Sequence, residues 1–328
     1  MSFVAPRHEH GAALLAVLLL VAMMAAISVV ALEKLRLATS LAANGAALDQ
    51  ARAYAFGGEA LALTKVGLLD GRVTGTTTLA GNWNGRVTRL PIPNGLATIR
   101  VSDGGNCFNL NSLAQGYVAT RLAVRPVGVS QFLALMRVLG IADPDARRVA
   151  AGLADWLDAD SVPLPDGAED NDYLRAQKPY RAANTFLAER SELRAVSGVT
   201  RDIYRVLRPW VCALPVNDLS PINVNTLRPD QAPLVAMLLP GSDVALARQM
   251  IERRPPAGWE NAAAFWNVLP GGGQAADAEV FAQPQVRTRW FALDLDVSLG
   301  GAQVTETALI DGGRAPARLV VRRWGIDE

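Results

Sequence analysis

The clearest pattern in the chain is an unbroken apolar run near its N-terminus. Residues Ala12 to Leu32 read AALLAVLLLVAMMAAISVVAL, 21 residues with no charge and one hydroxyl, Ser28. As a helix this run spans about 30 Å, the thickness of a bilayer core. The helical spacing continues beyond it. Leu35, Leu41 and Leu48 sit among Ala and charged residues, with few breakers before Gly57-Gly58. One helix is therefore expected from Ala12 into the mid-sixties, half in a membrane and half outside; Gly45 weakens it without ending it. After a Gly, Thr and Asn cluster at Thr74 to Asn84 the period changes to two. Arg86–Ile92 and Leu96–Asp103 alternate, and Pro93-Asn94-Gly95 between them is a hairpin signal. From about Asn109 to Pro284 the pattern is helical, in Leu/Ala/Arg segments punctuated by Pro and Gly. Strands return in Trp290–Leu299, Gln303–Ile310 and Arg318–Trp324, separated by Gly300-Gly301 and Gly312-Gly313.

The helical block reads as an internal repeat. Asn109-Leu110-Asn111-Ser112-Leu113 opens one half and Asn223-Val224-Asn225-Thr226-Leu227 the other. Asn with Ser or Thr ahead of a helical run is an N-cap arrangement. A looser likeness joins Glu192–Gly198 to Glu260–Gly271, each opened by Glu and closed by Gly.

Composition removes several chemistries. The chain of 328 residues carries 32 basic and 31 acidic side chains, a net charge of +1, too little for a field that attracts nucleic acid or an anionic membrane. Its two histidines, His8 and His10, both precede the apolar run. With that leader removed, no histidine is left for base catalysis, nucleophile activation or zinc ligation. The two cysteines, Cys107 and Cys212, are too few for a thiolate cage. If the chain is exported they are expected to pair; two buried free thiols are the alternative.

Acidic residues crowd one loop. Asp155, Asp158, Asp160, Asp166, Glu169, Asp170 and Asp172 fall within 18 residues that also hold Pro163, Pro165 and Gly167. Dense carboxylates on a loop suit calcium, which takes six to eight oxygens. An EF-hand register fails, because its fifth and sixth positions fall on Val162 and Pro163. Asp158, Asp160, Glu169, Asp170 and Asp172 are the candidate ligands; a solvated acidic loop capped by arginines is the alternative. A carboxylate pair for glycoside hydrolysis has no substrate cleft to go with it.

A short polar leader, then Gly11, then the apolar helix resembles the signal of prepilins. By that resemblance a prepilin peptidase cuts between Gly11 and Ala12, leaving the helix as membrane anchor and filament core. Most pilins carry Glu at the fifth mature position; here Ala16 stands there. A subunit without that carboxylate cannot neutralise the amine of a preceding subunit inside lipid. It needs none if it is inserted first.

Further motifs make the resemblance specific: Cys107-Phe108-Asn109-Leu110-Asn111, Asp155-Trp156-Leu157-Asp158-Ala159-Asp160, Gly167-Ala168-Glu169-Asp170, Tyr173, Val211-Cys212-Ala213-Leu214-Pro215 and Ile222-Asn223-Val224-Asn225-Thr226. In that order they resemble the minor pseudopilin K family of type II secretion systems. The resemblance implies an α+β fold, with a long pilin-like helix packed on a small antiparallel sheet. A large inserted all-α domain would consist of two repeats of the SAM or helix-hairpin-helix kind. The expected divisions are a leader (1–11), a membrane span (12–32), the pseudopilin helix with first strands (33–108), two helical repeats (109–215 and 216–285) and closing strands (286–328). The resemblance also implies a non-enzymatic, calcium-binding subunit of the inner membrane, its bulk periplasmic. Its partners would be the I- and J-type minor pseudopilins, the major pseudopilin, the prepilin peptidase, and the secretin or exoproteins. A competing reading is a membrane-anchored DNA-uptake protein, since Ile222–Thr226 and Leu238-Leu239-Pro240-Gly241 resemble a helix-hairpin-helix module. Ser242 and Asp243 then stand where backbone amides would meet phosphate, so no nucleic acid is expected.

Overall fold

The computed structural model describes residues 9–69, 75–118, 121–238, 243–268 and 277–325. The leader up to His8, Thr74, the residues Leu239 to Ser242 of the motif likened to a helix-hairpin-helix module, and Gly271 lie outside them. Helix α1 (Glu9–Leu69) runs 61 residues, and its apolar part is long enough to cross a membrane. Its first half is exposed all round. A buried stripe begins only at Ala51 and continues through Ala55, Gly58, Ala62 and Val66, the spacing of one helix face. Gly57-Gly58 does not end the helix. A Cβ on Gly58 would come within 2.5 Å of Leu295 Cδ1, so glycine here lets helix and sheet approach.

That sheet is built from β1 (Val87–Ile92), β2 (Gly95–Asp103), β7 (Trp290–Leu299), β8 (Ala302–Asp311) and β9 (Arg318–Trp324), all antiparallel, in the order β1-β2-β7-β8-β9. The hairpin turn is where the sequence places it, with Asn94 at φ 58°. Alternation sorts the faces: Phe291, Leu293, Leu295, Val297 and Leu299 are buried, while Ala292, Asp294, Asp296 and Ser298 are more open. The two hairpins come from distant parts of the sequence, and the described residues between them form the helical body.

The helical body holds β3 (Phe108–Asn109), β4 (Ala114–Gln115), β5 (Ala123–Val124), α2 (Pro126–Val138), α3 (Asp143–Leu157), α4 (Asp170–Tyr173), α5 (Arg201–Leu207), β6 (Val211–Cys212), α6 (Ala232–Ala236), α7 (Val244–Glu252), α8 (Ala262–Trp266) and α9 (Ala278–Phe281). Its core is separate from the sheet's and includes Phe108, Phe132, Leu135, Leu153, Ile222 and Trp266. Cys107 and Cys212 form a disulfide beside the parallel pairing of β3 with β6.

The repeat is reproduced bond for bond. Asn109 and Asn223 each accept, through Oδ1, the N–H two residues on (Asn111 and Asn225). Ser112 donates back to the Asn109 carbonyl, and the Thr226 hydroxyl lies 3.1 Å from the matching Asn223 carbonyl. Asn111 clamps both backbone groups of Leu187, and Asn225 does the same to Trp259. The helices expected behind these motifs are shorter than the pattern implied. Asn109 caps only the 3₁₀ turn Leu110–Leu113, and Asn225 sits in a turn, because each second Asn is spent on a distant loop rather than on a following helix.

The two bodies are joined at a polar junction around Asp103, and a second contact runs from Arg323 of β9 to the Ala188 carbonyl and Glu189. Asp103, at the end of β2, accepts N–H groups of Gly105 and Asn106 through Oδ1, and hydroxyls of Thr226 and Thr288 through Oδ2. Asn223 donates to the Thr77 carbonyl and to Thr288. Thr77 in turn donates to the carbonyl of Leu69, the last residue of α1. The helical body is thus fixed at the end of α1 far from the apolar half.

Candidate metal centre

Helix α3 stops at Asp158, whose backbone turns extended (φ −73°, ψ 173°) while its N–H still closes on Ala154. The next residue, Ala159, donates to the Leu122 carbonyl, anchoring the loop beside β5. Asp155, one turn back and fully buried, accepts N–H groups from Leu164 and, at 2.8 Å, from Ala168. This folds the loop back over the helix end. A Cβ on Gly167 would collide with the Asp155 carboxylate, so that position excludes any larger residue. Trp156 braces the return against Tyr173 of α4, the rings 5.1 Å apart and edge to face.

The fold-back gathers three carboxylates. One oxygen each from Asp158, Asp160 and Glu169 lies within 4.8 Å of the others. Asp160 is exposed, whereas Asp158 and Glu169 are 3% and 4% exposed. Asp158 Oδ1 and both oxygens of Glu169 are buried without a hydrogen-bond partner. Burial, aided by Asp160 and Asp155, pushes Asp158 up to about 7. Burial, aided by Asp155 and Asp158, does the same for Glu169. Uncompensated buried acids of one sign are costly. The arrangement fits a cation, and an all-oxygen donor set selects a hard one such as calcium.

Asp170 and Asp172, expected as ligands, do not join this group. Asp170 accepts from Arg181 at 2.5 Å and from the Ala182 N–H. Asp172 accepts from the Glu169 N–H and from Arg175. Both lie in the first turn of α4, where unpaired N–H groups and nearby arginines take up their oxygens. Asp166 pairs with Arg147. Sequence reasoning did not single out Asp155 as the residue that shapes the loop, or Asp103 as the junction. No spacing signal marks Asp103, whose hydroxyl partners lie 123 and 185 positions away.

Residues 106–216 and 222–284 match two models of one family, described as type II secretion system protein K. A type II secretion system protein K of Pectobacterium carotovorum is 35% identical, with 97% of each chain covered. That of Klebsiella pneumoniae is 34% identical over the same shares. The chain belongs to the type II secretion system protein K family. A chain in the crystal structure of the GspK-GspI-GspJ complex from enterotoxigenic Escherichia coli superposes with a TM-score of 0.72 at 30% identity, over 85% of this chain and 97% of the other. Membership of the protein K family supports a minor pseudopilin role with other minor pseudopilins as partners, and α1 fits a single-pass anchor of the inner membrane. Gly11, Ala12 and Ala16 all lie within α1, with Ala16 exposed.

Proposed function

We propose that this protein is inserted first into a pseudopilus and remains at its tip as the cap. The observation that carries this reading is the attachment of the helical body at the Leu69 end of α1, reached through Thr77, Asn223 and Asp103. Subunits stacked through their apolar helices would leave that bulk above the last layer, blocking further addition. It would face the periplasm and be presented to a secretin or to exoproteins. Ala16 supports the same reading, since a first subunit has no preceding amine to neutralise. Prepilin peptidase would release the leader between Gly11 and Ala12. Major and minor pseudopilins would then pack along α1.

Replacing Ala16 by Glu tests the order of insertion. The protein is expected to appear within pseudopilus shafts, detected by labelling along filaments. Labelling that stays at the tip would make the identity of Ala16 irrelevant. Processing is read from the intact mass of the membrane-extracted protein: residues 12–328, with or without an N-terminal methyl group, is expected, and a full-length mass excludes it.

Asp158, Asp160 and Glu169 are further read as a calcium site that orders the loop after α3. The orphaned oxygens of Asp158 and Glu169 support this. The ion would neutralise the cluster, and its remaining positions would be filled by carbonyls or water.

A further inference from the structure

The sheet and the helical body have separate cores, and no cluster of buried apolar side chains spans the two among the described residues. On the sheet, α1 covers the face of Phe291, Leu293 and Leu295, so Ala292 and Asp294 belong to the opposite, outer face. Part of that outer face lies under the helical body, with a cleft of about 440 Å³ between them. Ala292, Asp294 and Thr307 line it from the sheet, and Arg190, Pro209 and Ala213 from the body. Burial there raises the proton affinity of Asp294, against the pull of Arg100 and Arg190.

The two ends of the cleft are held differently. At one end stands Asp103, its oxygens taking four donors from both bodies. Here the chain leaves β2 through Gly104-Gly105, which lack a Cβ and so resist a change of φ and ψ least. At the other end Arg323 of β9 reaches the Ala188 carbonyl and pairs with Glu189. Those two side chains keep 37% and 41% of their surface in water. An exposed pair shifts an equilibrium by about fivefold at most and weakens in salt. A buried carboxylate that satisfies four donors is far harder to break. Parts of one chain that share no apolar core and meet through polar groups are free to move relative to each other.

We propose that the helical body is a hinged lid over the outer face of the sheet, turning on the Asp103 joint and held shut by an Arg323–Glu189 latch. The inference does not depend on where the protein sits in a pseudopilus. Opening parts no shared core, and the cleft is already wide enough to hold water, so the latch is the main resistance to the motion. What opening uncovers is set by strand register. Arg100, Asp294, Thr307 and Arg323 stand opposite one another across β2, β7, β8 and β9, in one row on the outer face. The shut lid keeps Asp294 from water and occupies Arg323 with Glu189. The open lid frees both, so the latch decides whether this charged row is available to a partner.

The test is a pulsed electron-spin distance measurement on the full-length protein in detergent micelles. Spin labels are carried by Thr185→Cys on the body and Gln303→Cys on β8, both exposed positions; Cys107 and Cys212 stay paired and take no label. A second pair, Thr185→Cys with Tyr117→Cys, lies wholly within the helical body and serves as reference. Two distances are expected across the cleft, a shorter shut one and a longer open one. Arg323→Gln or Glu189→Gln should raise the ratio of open to shut about fivefold. High salt should do the same to the parent protein and add little to either variant. Exchanging the charges, Arg323→Glu with Glu189→Arg, should return the ratio toward the parent's, which a merely structural role for either residue would not do. The reference distance should stay constant throughout. One narrow distance across the cleft, unchanged by Arg323→Gln and by salt, would show that the two bodies form a single rigid unit and overturn the hinge. A reference distance that broadens together with the cleft distance would place the change inside the helical body, and would overturn it as well.

Discussion

Asp103 and the Asp158–Glu169 pair are both acids withdrawn from water, and burial raises the proton affinity of all three. They differ in what surrounds the charge. Asp103 has four donors converging on its two oxygens, two backbone N–H groups and two hydroxyls. Asp158 Oδ1 and both Glu169 oxygens make no hydrogen bond of good geometry; backbone N–H groups at the start of α4 lie near Glu169, and the other near neighbours are acids. A raised proton affinity alone therefore does not mark a metal site. The donor count separates them: a buried carboxylate supplied with N–H and O–H groups is a structural joint, and one surrounded by oxygens has its charge relieved only by a proton or a cation.

The sharpest break in this comparison is Asp103→Ala. It strips the acceptor from Thr226 and Thr288 and loosens the joint between the helical body and the sheet. Unfolding in denaturant should show a loss of about 3 kcal/mol, from several donors left without a partner. Asp103→Asn, which keeps shape and can still accept, should lose about 1 kcal/mol. Equal losses for the two variants would mean that the site's charge rather than its donors matters.

Cation removal comes next. In excess calcium a site occupied at a hundred times its Kd adds about 2.7 kcal/mol. A chelator should therefore lower the melting temperature by roughly 5–10 °C. Asp160→Asn with Glu169→Gln should abolish the response, and Asp103→Asn should leave it intact. A chelator without effect on the parent protein removes the calcium reading.

The smallest expected effect is on pH dependence, followed in a Glu306→Gln background because Glu306 is also raised to about 7 by burial and by Glu59. In metal-free protein Asp158 and Glu169 titrate near 7, against ordinary values of 3.8 and 4.5. Between those limits the folded state binds more protons than the unfolded chain, so stability is greatest at the acid end and falls as pH rises through 7. Calcium, which requires the ionised acids, should flatten or reverse this slope. Melting temperatures at pH 5 and 8 with chelator and with calcium give the result; two parallel slopes would show that the cluster does not hold the ion.

The features read directly from the sequence were those set by local periodicity. The unbroken run Ala12–Leu32 dictated an apolar helix, since every carbonyl and N–H finds its partner four residues away. Alternation and Asn94-Gly95 dictated the first hairpin, and the glycine pairs near 300 and 312 bounded the last strands. The matching Asn-x-Asn motifs showed a repeat, and the acidic loop showed where charge gathers. What the tertiary structure decided depended on partners remote along the chain. Which of the five acids assemble was set by Asp155 folding the loop back and by Arg181 and Arg175 drawing Asp170 and Asp172 away. The place of Gly58 was set by Leu295, and the role of Asp103 by Thr226 and Thr288. A sequence records the period of its own backbone in adjacent letters. It does not record which distant donor will reach a given carboxylate, because that distance exists only once both hairpins have closed into one sheet.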